Sequence, residues 1–365
     1  MKILWLTHRD PLNPKAGGAE RIVYEIGTYL ATKGNEISII AGGWPNCKKE
    51  DSLNGVKILR YGQRLAPHLV VPIMILRNKY DLIVADLGHA VPWVTPIIFK
   101  KKTIVSFLHL HARSLPGQVN KVLAFFIKSL EKMYFIIYHN QKFITISTTS
   151  FNDLENLGIS KDKISIINPG VNSAFFKPSK KTDYPSIVYF GGLRPYKRPM
   201  ESIYVVKELL NRIETVKLTV IGDGVLKSEM EKLASQLGIE KYISFTGRLE
   251  DEEVAKIVSE SWLNIHSSTT EGWGISIIEA ASSSTPTVAY KVPGIVDSIE
   301  DGKNGIKVKD GDRQALINAA YEILNNPINW WATSLEVAKK YTWAKAAESW
   351  ENQIKEEYYK NKVKK

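Results

Sequence analysis

The chain has 365 residues, 44% of them apolar, enough for two domains that each bury a substantial core. A single cysteine, Cys47, excludes an intrachain disulfide, and 49 Lys+Arg against 38 Asp+Glu leave a net charge of +11 that suits an anionic partner. The charges are scattered, with short clusters such as Lys100 to Lys102 and Lys360, Lys362, Lys364 and Lys365, and no zinc, homeodomain or RNA-recognition pattern accompanies them. This ranks nucleic acid last among anionic partners, behind nucleotide diphosphates and anionic lipid surfaces, so no nucleic-acid partner is expected.

The start, MKILWLTHRDP, has too short an apolar run for a signal peptide. No stretch approaches the roughly 18 apolar residues of a membrane span. A cytoplasmic protein is expected, with peripheral attachment at the cytoplasmic face of a membrane as a further possibility.

Residues 2–7 are a short apolar run suited to a buried parallel strand, and Gly17-Gly18-Ala19-Glu20-Arg21 then opens a helix to about Lys33. Glycines at such a junction permit close approach to a phosphate. Residues 36–41, 56–61, 81–85, 103–108 and 142–146 read as further strands separated by helix-length segments, an alternation that predicts a doubly wound α/β sheet. Between residues 65 and 78, Pro67 and Pro72 predict a kinked or broken helix. The strand at 103–108 runs into His109 and His111, and a histidine at the carboxyl end of a parallel strand is placed to bond sugar hydroxyls or an acceptor. From Val119 to Tyr138 the sequence is apolar and aromatic. Val119, Val122, Leu123, Phe126, Ile127, Leu130, Met133, Tyr134 and Ile137 describe one helical face, expected mostly in the core, while interleaved Lys121, Lys128 and Lys132 also fit a helix at an anionic membrane surface.

After Asn168-Pro169-Gly170-Val171-Asn172, residues 173–185 hold two prolines and a run of Lys and Ser, the best linker in the chain. A strand at 186–190 leads into Gly191-Gly192-Leu193-Arg194-Pro195-Tyr196-Lys197-Arg198. Here an Arg fork and a mobile Lys suit a diphosphate leaving group. Strands at 216–221 and 242–245 lead into Gly222-Asp223-Gly224 and Thr246-Gly247. The strand at 262–265 precedes SSTTEGWGISIIEAA, a glycine turn and then a helix from Ile275 to about Ser284. Gly272 and Gly274 allow the tight turn, the first helical amides suit an anion, Glu279 falls in the second helical turn and Glu271 lies in the loop ahead of it. Tyr341-Thr342-Trp343 begins a long polar helix to about Tyr358.

EGWGISIIEA resembles the E-x7-E signature of the retaining nucleotide-sugar glycosyltransferases of family 4, and GGAER, NPGVN, the Gly191 to Arg198 segment and the later glycine turns resemble that family's loops over nearly the whole chain. The resemblance implies a GT-B fold: two Rossmann-like doubly wound parallel-sheet domains facing a cleft, with a C-terminal helix crossing back. The domains are expected at 1–172 and 186–342, joined by the linker at 173–185, with 343–365 as the returning helix. It further implies that Glu271 sits by the donor sugar, that Glu279 binds the nucleotide ribose, and that Gly17, Gly18, Gly222, Gly224, Gly272, Trp273 and Gly274 line the donor. His109, or His111 two residues on, contacts the sugar. In strict register the family's arginine falls on Gly192, so Arg194 or Arg198 supplies its charge beside Lys197.

The implied donor is a UDP- or GDP-linked sugar with no cofactor or metal, and the acceptor is a glycan or lipid-linked hydroxyl. The leaving phosphate itself takes the acceptor proton in the family's front-face mechanism. Two rival functions share these residues: another GT-B enzyme such as a sugar-phosphate synthase, and a non-catalytic nucleotide-sugar-binding or membrane-associated subunit of a glycan assembly complex.

Overall fold

The computed structural model describes residues 1–63, 66–88, 91–99, 103–113, 115 and 119–363. Lys100 to Lys102, Lys364 and Lys365, named above, lie outside them. The chain divides into two compact units, one of Met1–Arg113, Val119–Pro169 and Trp343–Lys365, the other containing Gly170–Thr342.

The first unit is built on strands β1 (Lys2–Leu6), β2 (Glu36–Gly43), β3 (Glu50–Leu53), β4 (Val56–Gln63), β5 (Leu82–Asp86), β6 (Thr103–Phe107), β7 (Lys142–Thr145) and β8 (Ile164–Ile166). Their order across the sheet is β3-β4-β2-β1-β5-β6-β7-β8. Neighbouring strands run parallel except β3, which pairs antiparallel with β4. The inner strands are covered on both faces, which is why β1, β5 and β6 are mostly apolar along their length: Ile3, Leu4, Leu6, Ile83, Val84 and Ile104 are all inaccessible. The helix Trp343–Val363 belongs to this unit and stacks Trp350 on Trp5, ring centroids 5.2 Å apart.

Residues 66–77 form one unbroken helix, Ala66–Arg77, with Pro72 inside it; Pro67 sits in the first turn, where a missing N–H leaves no helical bond unmade. One expectation is corrected here. The helix Lys121–Tyr138 does not bury the face its periodicity suggested. Tyr134, Tyr138 and the polar Glu131 face inward, whereas Val122, Leu123, Phe126 and Met133 are exposed. Among the described residues no helix is long and apolar enough to cross a membrane.

The second unit contains β9 (Ser186–Phe190), β10 (Lys217–Ile221), β11 (Ile243–Gly247), β12 (Leu263–His266), β13 (Thr287–Tyr290) and β14 (Gly305–Val308), all parallel, in the order β11-β10-β9-β12-β13-β14. Chain progression reverses between β9 and β12, the place where open α/β sheets leave a crevice at the carboxyl ends of the strands. Ile187, Leu218, Leu263, Ile277, Val288 and Leu316 join strands and helices in one buried cluster. Residues 173–185 pack on this unit: Phe176 is buried, Ser282 Oγ donates to its carbonyl at 2.6 Å, and Lys181 Nζ donates to Ser261 O at 2.7 Å and Thr285 Oγ1 at 2.8 Å.

Candidate active site

Because β9 and β12 are neighbours, the loops that leave their carboxyl ends meet, although they are far apart in the chain. The β9 loop turns through a short 3-10 segment, Pro195–Lys197. The β12 loop is stitched to it: Thr269 N donates to Tyr196 O at 2.8 Å, and Ser267 Oγ lies 3.0 Å from Lys197 O and 2.7 Å from Arg198 O. Arg198 closes the seam, donating from Nε to Ser267 O at 2.8 Å and from Nη2 to Ser268 O at 3.0 Å. Its guanidinium also pairs with Asp310 and stands 4.6 Å over the Tyr290 ring. Arg198 is therefore occupied by the protein itself. Arg194 is exposed, close enough to Lys197 to oppose its charge. Of the two arginines, only Arg194 is left facing solvent.

The result of this stitching is one charged cluster. Lys197 Nζ donates to Glu271 Oε1, with side chains 19% and 13% exposed, and Ser268 Oγ donates to the same carboxylate oxygen at 2.7 Å. His266 Nε2 lies 3.4 Å from it. Burial by itself would push the Glu271 carboxyl up, but the Lys197 ammonium, His266 and the Ser268 bond outweigh it and hold it at about 2. Burial likewise opposes charge on Lys197, and the facing carboxylate raises that ammonium above its ordinary value. His266 is pushed down to about 4 by burial, so its imidazole is neutral near pH 7. The cluster at neutral pH is one carboxylate, one ammonium and one neutral ring.

His266 and Ser268 were not anticipated, yet the same signal that singled out His109, a histidine at the carboxyl end of a parallel strand, was present at His266.

The glycine turn after Glu271 is set by packing. Gly274 caps the helix Ile275–Ser282 at φ +85°, and a Cβ there would stand 3.0 Å from Ile277 Cδ1 and 3.2 Å from Ser298 Oγ. Gly272 is half-buried ahead of it, and Glu279 lies half-buried in the second helical turn. Trp273 is 1% exposed and packs edge-to-face on Tyr341 at 4.9 Å, so its side chain braces the turn from the core. Gly222 and Gly224 also face protein: Cβ atoms there would approach Gly191 O to 2.0 Å and Leu193 O to 2.3 Å. Their bare backbones let the β10 loop buttress the β9 loop, bonded through Leu193 N to Asp223 O at 3.0 Å.

In the first unit, Gly17 and Gly18 are exposed at the start of the helix Gly18–Thr32. Gly17 has an ordinary extended φ of -145°, and a Cβ on it would meet nothing closer than 3.8 Å, so the fold does not demand glycine there. Glu20 accepts from Gly17 N at 2.8 Å and from Arg9 Nε at 2.9 Å. His109 and His111 follow β6 with ring centroids 5.1 Å apart, both half-buried. Burial lowers His111, and His8 and Arg9 lower it further against a Gly88 backbone bond. Their loop is held from below by Glu131, whose carboxylate accepts from Ala112 N at 3.2 Å.

Two doubly wound parallel-sheet units, one with a Lys–Glu cluster where its strand order reverses, define a GT-B architecture. A profile of the glycosyl transferases group 1 matches residues 171–346, and one of glycosyltransferase family 4 matches residues 16–175. An uncharacterised glycosyltransferase of Methanocaldococcus jannaschii is 23% identical, covering 97% of this chain and 98% of that one. Sucrose-phosphate synthase from Thermosynechococcus elongatus superposes with a TM-score of 0.83 at 19% identity, over 97% of this chain and 98% of its own. Anabaena HepE in complex with UDP-glucose gives 0.75 at 19% identity, over 98% of each chain. The chain belongs to the family-4 type of glycosyltransferase, with the GT-B fold.

Proposed function

We propose that the chain transfers a sugar, with retention of anomeric configuration, from a UDP- or GDP-linked donor held on the second unit to a hydroxyl of a glycan or lipid-linked acceptor. The observation that carries this reading is the Lys197–Glu271 pair at the reversal of strand order, a partly buried ammonium and carboxylate aimed at one place. The UDP-glucose in the Anabaena neighbour supports the donor class.

In this reading Lys197, with exposed Arg194, faces the diphosphate and stabilises the charge that grows on it as the bond from the anomeric carbon to the phosphate oxygen breaks. No metal or other cofactor is required. Glu271, kept ionised by Lys197, accepts hydroxyls of the donor sugar, and Glu279 accepts those of the ribose. The acceptor oxygen forms its bond on the face the phosphate leaves, and its proton passes to that phosphate. On the first unit, Gly17 and Gly18 put no side chain at an exposed helix start, which lets a phosphate approach the backbone, and His109 and His111 offer polar ring atoms for sugar hydroxyls.

The test is donor hydrolysis followed by proton NMR. A wild-type protein that releases a free sugar of the donor's anomeric configuration, in EDTA, while Glu271→Gln does not, meets the proposal. Release of the inverted sugar refutes retention. Full function of Glu271→Gln in cells favours the binding-subunit reading.

A further inference from the structure

The helix Lys121–Tyr138 turns its charged and apolar residues outward in an order that a soluble surface does not need. At about 100° per residue, Phe125, Ile136, Val122, Met133 and Phe126 share one arc of roughly 100°, and Lys128, Lys121 and Lys132 occupy the adjoining arc. Glu131, Tyr134 and Tyr138 lie on the opposite, buried side. Phe125 is 68% and Ile136 69% exposed. The short helix Thr95–Ile98 touches this one and exposes Ile97 and Ile98. It also touches the helix Ala66–Arg77, which exposes Leu69, Ile73 and Leu76 at helical spacing.

Three adjoining helices of the first unit thus present apolar side chains to solvent, the kind of grouped exposure that marks an interaction surface. Every exposed charge on them is positive: Lys121, Lys128, Lys132 and Arg77. Their one acid, Glu131, is 3% exposed and turned inward.

We infer that this face docks on an anionic lipid bilayer, the apolar strip entering the boundary between headgroups and acyl chains and the lysine stripe lying among anionic headgroups. Charge decides the occupant. An apolar strip edged by cations alone is complementary to a negatively charged layer, whereas a second copy of the same face brings cations without a matching acid. The inference stands independently of the donor and retention proposed above, because it concerns a surface and not the transfer.

The experiment is flotation of the full chain with vesicles of phosphatidylcholine alone and with vesicles that also contain phosphatidylglycerol. Binding to the phosphatidylglycerol vesicles, weak on phosphatidylcholine and weakened by salt, is expected. Phe125→Ser with Phe126→Ser should lower it by roughly tenfold or more, and Lys121→Glu with Lys128→Glu and Lys132→Glu should abolish the preference for the anionic lipid. All five positions are exposed, so circular dichroism and the melting temperature should stay unchanged. Absence of binding, or binding indifferent to both sets of changes, overturns the inference. So does light scattering that shows a dimer which the Phe125/Phe126 change converts to monomer, because the face would then belong to a second copy.

Discussion

Lys197 and Glu271 face each other as ammonium and carboxylate inside the second unit, and each favours the other's charged form against its own burial. Removing one partner leaves the other partly buried and unpaired. Lys197→Ala and Glu271→Gln should each destabilise by about 2 to 3 kcal/mol, and the double change by less than their sum. Chemical unfolding of the four proteins measures the coupling.

The same pair gives stability a pH dependence with a definite sign. The Glu271 carboxyl falls from its ordinary 4.5 to about 2 on folding, so its stabilisation is complete above about pH 4.5 and is lost as pH falls towards 2. Buried His266, lowered from 6.5 to about 4, acts in the same direction between those values. Glu271→Gln should flatten the acid limb of the melting temperature below pH 4.5, leaving the loss between pH 6.5 and 4 in place.

The glycines divide into two kinds. Gly222→Ala forces a Cβ to within 2.0 Å of Gly191 O and should unfold or strongly destabilise the second unit. Gly17→Ala meets nothing within 3.8 Å and should leave the melting temperature unchanged. If the missing side chain at Gly17 serves the approach of a phosphate, its alanine variant should instead raise the donor KM, roughly tenfold. A melting curve and a donor titration separate the two.

Arg194 and Arg198 should fail differently. Arg198→Ala removes the bonds to Ser267 O and Ser268 O and the cover over Tyr290, so the melting temperature falls with activity. Arg194→Ala, at an exposed position, should keep the melting temperature and lose turnover, by about tenfold to a hundredfold.

Glu131 links the exposed helix to the loop of His109 and His111. Burial raises its carboxyl from 4.5 to about 7, so the folded state holds the proton more tightly and loses stability as pH rises between those values. Glu131→Gln, uncharged throughout, should remove that loss and keep the bond to Ala112 N, whereas Glu131→Ala should loosen the loop. Hydrogen exchange at Ala112 reports which occurs.

Much of this was legible in the sequence. Continuous apolar runs announced most strands of both sheets, and glycines after them marked the turns, but β13 and β14, four residues each, were too short to be read as strands. Strand β3 escaped because Glu50, Asp51 and Ser52 make a polar edge with no apolar run, and β8 because three residues carry too little pattern. Periodicity found the helix Lys121–Tyr138 but counted apolar residues without knowing which side the sheet would cover. The burial of Trp273 depends on Tyr341, and the engagement of Arg198 on Asp310 and Tyr290, partners that only the folded chain brings near. The pairing of Lys197 with Glu271 follows from the adjacency of β9 and β12, which strand patterns alone do not state.

The most direct test of the central claim is calorimetric titration of the wild type, Lys197→Ala and Glu271→Gln with UDP, GDP and their sugar conjugates. One diphosphate should bind the wild type, Lys197→Ala should lose most of that affinity, and Glu271→Gln should bind the diphosphate but no longer gain from the sugar. If no nucleotide binds, or if Lys197→Ala binds as tightly as the wild type, the Lys197–Glu271 cluster is not the donor site.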